Sequence, residues 1–138
     1  MMDVFTVAEA AALLGVSDDT VRRWGDSGRL AIERAENGRQ MIRGEHLVPL
    51  VRESAAASGL REAFPLGRAS ARNRITGLVT AVAVDGIMAQ VELQAGPFRI
   101  VSLMSREAAE ELGLAPGVLA TASIKSTNVV METPEPTS

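Results

Sequence analysis

The sequence predicts an α+β chain of two domains. A helical first half carries a winged helix-turn-helix, and a β-rich second half folds as a small five-stranded barrel with one short helix. Three observations carry this. Over the first 54 residues, apolar side chains recur at helical spacing between capping signals. From Ile75 onward the pattern changes to β-branched runs punctuated by Gly and Pro turns. Between the halves lie Ala55-Ala56-Ala57-Ser58-Gly59, then Pro65 and Gly67, a run of small residues and breakers. The expected organisation is residues 1–54, a linker at 55–69, a second domain at 70–132 and a frayed tail at 133–138.

Composition narrows the function classes. Hydrophobic residues make up 46% of the 138, enough for packed cores, but aromatics are only 3%. The cores must therefore be aliphatic and small, which favours oligomerisation. Cysteine is absent, so disulfides, thiolate metal sites and cysteine nucleophiles are excluded. That agrees with a reducing cytoplasm. Met1-Met2-Asp3 opens no basic-then-apolar leader, and no apolar run is long enough to span a bilayer, so a cytoplasmic location is expected. The net charge of −3 argues against a non-specific nucleic-acid binder but leaves room for a specific one.

The first helix is announced by Thr6 as N-cap with Glu9 three residues on, a capping box. Val7, Ala10, Ala11 and Leu14 form its apolar face, and Gly15 is placed to end it. Ser17 caps a second helix, in which Asp18 and Asp19 suit the positive end of the helix dipole. Gly28 is its natural stop. Two short helices across a tight Gly-containing turn make a helix-turn-helix. The second helix then exposes Thr20, Arg22 and Arg23 and turns Val21 and Trp24 inward. Leu30–Glu33 and Gln40–Arg43 flank Asn37-Gly38, a hairpin signal that gathers Arg34, Arg39 and Arg43 on a basic wing. A third helix is expected from about Glu45 to Arg52 or beyond, with Pro49 as its kink or true start. His46, the only histidine, has no second His or Cys with which to share a metal.

This order of pieces resembles the MerR-type and phage-excisionase DNA-binding domains. The likeness runs through Phe5–Ala11, Leu14–Ser17, Thr20–Trp24, Gly28–Leu30 and Gly38-Arg39 into Arg43. It implies double-stranded DNA as partner, with Arg22 and Arg23 on the recognition helix and Arg39 on the wing. The candidate DNA contacts are Thr20, Arg22, Arg23, Arg39 and Arg43. One feature runs against strong binding by a lone copy. The first 54 residues hold seven arginines against nine carboxylates, a net of −2. Two heads on two half-sites would compensate.

In the second half, Ile75–Val84, Ile87–Leu93, Phe98–Leu103, Val118–Ile124 and Val129–Met131 read as strands. Asp85-Gly86, Ala95-Gly96-Pro97 and Pro116-Gly117 supply turns. Ser105 caps a short helix that stops at Gly113. Five short strands with a helix after the third fit an OB-like barrel, with an open sandwich as the alternative. At its edges sit Ser70-Ala71-Arg72-Asn73 and Lys125-Ser126-Thr127, each joining hydroxyls to a cation. Lys125 is the only lysine; the other 13 basic residues are arginines. Fixed positive charge beside short donors is what a small oxyanion requires.

These two segments, with Gly77-Leu78-Val79, Glu111–Leu114 and Pro116-Gly117, resemble a Mop domain of the TOBE superfamily, as in molbindins and the C-terminal half of molybdate-sensing regulators. The resemblance implies molybdate or tungstate bound between subunits of a homo-oligomer, dimeric or hexameric. Ser70, Arg72, Ser105, Lys125 and Ser126 stand at the ligand positions. Arg72 and Lys125 would balance a tetrahedral dianion. The chain departs from the pattern at Ala108, where a second hydroxyl is usual. Glu107 beside it would repel an anion if turned inward.

Together the halves suggest a molybdate-responsive DNA-binding regulator. The alternative is a molybdate or tungstate storage protein whose helix-turn-helix serves assembly. A nucleic-acid-binding barrel is disfavoured because residues 70–132 contain one aromatic, Phe98, and such barrels stack bases on rings. No nucleophile–base pair, metal cluster or phosphate loop points to an enzyme.

Overall fold

A computed structural model describes residues 3–134. It divides into two compact units, meeting between Leu66 and Gly67. Residues 135–138 of the expected tail lie outside the described part.

The N-terminal unit runs β1 (Val4–Thr6), α1 (Val7–Leu14), α2 (Asp18–Asp26), β2 (Glu33–Arg34), β3 (Gln40–Arg43), α3 (Gly44–Ala56) and α4 (Leu60–Ala63). Local chemistry sets the helix ends. Thr6 Oγ1 accepts from the Glu9 amide at 3.1 Å while Glu9 accepts from the Thr6 amide at 2.9 Å, closing the capping box. Gly15 ends α1 in the left-handed region with φ 71°, and Ser17 Oγ caps α2 through the Thr20 amide. Val7, Ala10, Ala11, Leu14, Val21, Leu30, Ile42, Leu47 and Leu50 form the buried core, with Trp24 packed against it. Arg29 covers the outer face of the Trp24 ring, 4.7 Å from its centroid, and reaches Glu53 at 2.8 Å.

Two expectations need correction here, while the third helix falls within the bounds expected. The hairpin is joined by β1 into a three-stranded sheet of order β1-β3-β2. A three-residue strand is too short to show an alternating pattern. The third helix begins at Gly44 and continues to Ala56, through Pro49. Proline lacks only the amide that would bond Glu45, so the helix survives it. The expected linker is not uniformly irregular, because α4 forms a single turn within it.

The C-terminal unit runs β4 (Asn73–Asp85), β5 (Met88–Ala95), β6 (Phe98–Ser105), α5 (Arg106–Glu111) and β7 (Leu119–Ile124), all strands antiparallel in the order β6-β5-β4-β7. The 13-residue β4 is shared: Asn73–Leu78 pair with β7 and Leu78–Asp85 with β5. An irregularity between Val79 and Ala81 bends it at the hand-over. Val79, Val91 and Leu93 are the buried centre, backed by Val82, Ile100, Met104 and Leu114.

The expected fifth strand is absent among the described residues. Ser126–Asn128 form a 3₁₀ turn instead, and Val130 and Met131 follow it in irregular chain, each 86% exposed. The turn directs the chain out of the β7 ladder. One copy therefore supplies an open four-stranded sheet rather than the five-stranded barrel expected.

Candidate functional site

Asn73 and Ile124 are the outermost pair of the β4–β7 ladder, and Asn73 Nδ2 donates to the Ile124 carbonyl at 3.1 Å. Ser70-Ala71-Arg72 therefore enters the sheet at the point where Lys125-Ser126 leaves it. Three residues inward, Thr76 and Thr121 share a hydroxyl–hydroxyl bond of 2.8 Å, with Thr76 buried. That bond fixes the ladder's register close to its end. Arg74 Nη1 donates to the Gly67 carbonyl and draws the incoming loop back toward the strand, while its buried Nε has no partner among the described residues.

Four of the five oxyanion candidates, Ser70, Arg72, Lys125 and Ser126, thus flank one end of the β4–β7 pair, all exposed. Among the described residues neither Arg72 nor Lys125 is within 4.0 Å of a carboxylate. Their charge is not spent internally. The Lys125 carbonyl accepts from the Asn128 amide at 2.9 Å, so the 3₁₀ turn holds the Lys125-Ser126 backbone.

The fifth candidate is elsewhere. Ser105 stands opposite Met88, and Met88 opposite Asp85, at the far end of β4. Thirteen residues of strand separate the two ends, a contour of roughly 40 Å. Ser105 Oγ accepts from the Ala108 amide at 3.1 Å and caps α5. The Arg106 amide is taken by the Ile87 carbonyl at 2.8 Å. Glu107 and Arg106 are exposed, and Arg106 pairs with Glu110 at 2.9 Å. One chain therefore carries two part-sites at opposite ends of a strand. Asn73, Arg74 and the Thr76–Thr121 pair were not singled out from sequence. Asn73 closes the Ser-Ala-Arg-Asn run, which was the available signal.

In the other unit, Arg22 and Arg39 line one polar depression with Thr6, Asp18 and Gln40. Arg22 lies 3.4 Å from Asp19 across one turn, a loose and exposed pair. Arg23 donates to Thr20 Oγ1 at 3.3 Å, and that hydroxyl also bonds Ser17. Arg43 sits between two carboxylates, Glu33 at 3.4 Å and Glu45 at 3.7 Å. Of the five DNA candidates, Arg43 is thus the most neutralised.

Comparison with known proteins matches residues 69–131 to the TOBE domain and residues 4–53 to a helix-turn-helix domain. Molybdenum-pterin-binding protein 1 of Clostridium pasteurianum is 43% identical over 63 residues, 45% of this chain and 93% of that protein. The chain belongs to the TOBE-domain family of molybdenum-pterin-binding proteins. MopA of Rhodobacter capsulatus, also a molybdenum-pterin-binding protein, is 39% identical over 69 residues, 49% of this chain. The chain spans about a quarter of that relative's length, 26%. A crystal structure of the cytoplasmic molybdate-binding protein ModG with molybdate bound shares 40% identity, covers 49% of each chain and gives a TM-score of 0.47. Within the TOBE domain, the matched region takes in both part-sites. Among the described residues no cluster of three His, Asp or Glu side chains could hold a metal cation. No helix among them is long and apolar enough to cross a membrane.

Proposed function

We propose that this protein is a cytoplasmic, molybdate-responsive DNA-binding regulator that binds the oxyanion between subunits of its TOBE domains. One observation carries the proposal. The β4–β7 ladder ends at Asn73 and Ile124, so Arg72 and Lys125 leave the sheet together, uncompensated and flanked by Ser70 and Ser126. A tetrahedral dianion sheds water cheaply only against about two opposing charges with donors around them. The relatives' names speak of a molybdenum–pterin. A pterin ring calls for an aromatic face, and the only ring in this domain is Phe98, exposed at the β5–β6 turn. The free oxyanion suits the residues better.

The distance of Ser105 from the two cations supports a site completed by a second chain. One copy contributes Ser70, Arg72, Lys125 and Ser126, and another contributes Ser105 with the Glu107 amide in the first turn of its α5, the Arg106 and Ala108 amides being taken within the chain. Binding across the interface then favours one assembly geometry and so positions the helix-turn-helix domains. This is allostery if the anion binds the two geometries with different affinity. On DNA, α2 supplies Arg22 and Arg23 to the major groove with Thr20 at its N-terminal turn, and Arg39 and Arg43 on the hairpin face the phosphates.

The test is native mass spectrometry of the full chain with and without molybdate, followed by selection from random duplexes. A fixed oligomer that takes up anion, and a selected sequence bound differently with anion present, are expected. Anion uptake with no selected sequence would leave a molybdate or tungstate store; a monomer that takes up none would end both accounts.

A further inference from the structure

The N-terminal unit has an apolar groove on a surface that shares no residue with the Arg22–Arg39 depression. It is lined by Phe5, by Leu13 at the end of α1, and by Val48 and Val51 on α3. Leu13 is 58%, Val48 46% and Val51 44% exposed, which is high for apolar residues grouped on one surface. Leu47 and Leu50 of the same helix are buried, so α3 shows a second apolar stripe beyond the one its own core uses.

The charges at the groove's ends are opposite. The Asp3 carbonyl accepts from the Gly44 amide at 2.9 Å, which holds Asp3 at the start of α3. Arg52 lies eight residues further along the same helix, about 12 Å at 1.5 Å per residue. Along α3 the order is Asp3, held at Gly44, then Val48, Val51 and Arg52. Among the described residues neither Asp3 nor Arg52 is in an ion pair.

Such an order is complementary to itself. A two-fold axis at Val48 reverses α3 on its partner, sets Val48 on Val48 and brings each Arg52 to the other copy's Gly44, where Asp3 is held. We propose that the groove is occupied by the same groove of a second copy, with the two α3 helices packed antiparallel. The patch is small for a free dimer. Tethering in the TOBE assembly raises the local concentration enough for it to close, and this step rests on the assembly proposed above. The pairing presents two α2 helices as a symmetric pair while leaving Arg22 and Arg39 free.

Because the chain has no cysteine, single cysteines report the contact without background. In full-length protein under mild oxidation, Val48→Cys should form a covalent dimer at least tenfold faster than Glu36→Cys on the hairpin turn. A mixture of Asp3→Cys and Arg52→Cys should cross-link to each other faster than either does to itself. Adding Val51→Glu to Val48→Cys should abolish the advantage without changing the subunit count by native mass spectrometry. If the oligomer is intact and Val48→Cys links no faster than Glu36→Cys, the pairing is overturned and the TOBE assembly stands. If the protein is monomeric, both fall.

Discussion

Asn73 donates its side-chain amide to the carbonyl of Ile124 at 3.1 Å, the last bond across the β4–β7 ladder before the two candidate oxyanion segments diverge. The bond sets how far apart those segments leave the sheet without itself touching an anion. Asn73→Ala should cost about 1 kcal/mol of stability, the net value of one such bond. It should also weaken molybdate binding by roughly fivefold, because a similar free energy is needed to realign the two cations. Calorimetric titration checks this, and an unchanged Kd in a folded variant would remove Asn73 from the site.

Arg72→Ala or Lys125→Ala each leaves a dianion with half its compensation. Micromolar molybdate should raise the Tm of the parent protein and leave both variants unmoved. Ser105→Ala probes the separate part-site. If Ser105 completes a site on another chain, co-refolding Ser105→Ala with Arg72→Ala must restore a fraction of the binding that neither shows alone. One intact site arises wherever the unmutated halves meet. Absence of rescue in demonstrated mixed oligomers would place the whole site within one chain.

The parts of this structure that were legible in sequence are those determined within a few residues. Thr6 with Glu9, Ser17, Gly15 and Asp85-Gly86 stand where expected, because caps and turns are local chemistry. The Ser-Ala-Arg-Asn and Lys-Ser-Thr runs could be seen as strand-edge segments, and their juxtaposition follows from β4 pairing with β7. What escaped were relationships set at a distance. β1 exists only because β3 offers it an edge. Val129–Met131 has strand-like residues but pairs with no strand among the described residues, because the 3₁₀ turn at Ser126–Asn128 carries it out of the β7 ladder. Alternation shows which face of β6 a residue occupies, not that Ser105 ends up level with Asp85, across Met88 of β5, instead of with Asn73.

Gly77 on β4 marks where the chain cannot take a side chain. An added Cβ would fall inside contact distance of the Gln94 carbonyl group and 3.1 Å from the Ala95 Cα, all backbone of the neighbouring strand. Gly77→Ala should therefore destabilise by about 2–3 kcal/mol, as overpacking against an unyielding neighbour does. At Gly25 the added Cβ meets the end of the Ile32 side chain, which can change rotamer. Gly25→Ala should cost clearly less. Urea denaturation of the two variants compares them directly, and equal losses would contradict this account.

The capping box makes α1 sensitive to acid. The Thr6 amide, and then its hydroxyl, hold the Glu9 carboxylate below its ordinary range. A depressed carboxylate contributes stability that is present above the unfolded-state value and is lost as pH falls through the folded-state one. Acidification through and below the normal glutamate range should thus loosen α1 in the parent, with a smaller change in Glu9→Gln. Amide exchange at Thr6 and Glu9, the two amides the box satisfies, followed against pH reads it. Thr6→Ala should cost about 1 kcal/mol at neutral pH, the usual value of an N-cap.

The arginines of the N-terminal unit divide by what already neutralises them. Arg39 has no carboxylate within 4.0 Å among the described residues, and Arg22 has one loose partner; Arg43 lies between Glu33 and Glu45. A cation that releases counterions from DNA lowers the slope of log K against log salt by about one when removed. Arg22→Ala and Arg39→Ala should each do so on the selected duplex. Arg43→Ala should change it by much less, because Glu33 and Glu45 already cancel much of the charge that is lost. Glu33→Gln should then tighten binding by exposing Arg43. If Arg43→Ala flattens the slope as much as Arg39→Ala does, the internal pairs are broken on DNA and the hairpin binds with all its charge.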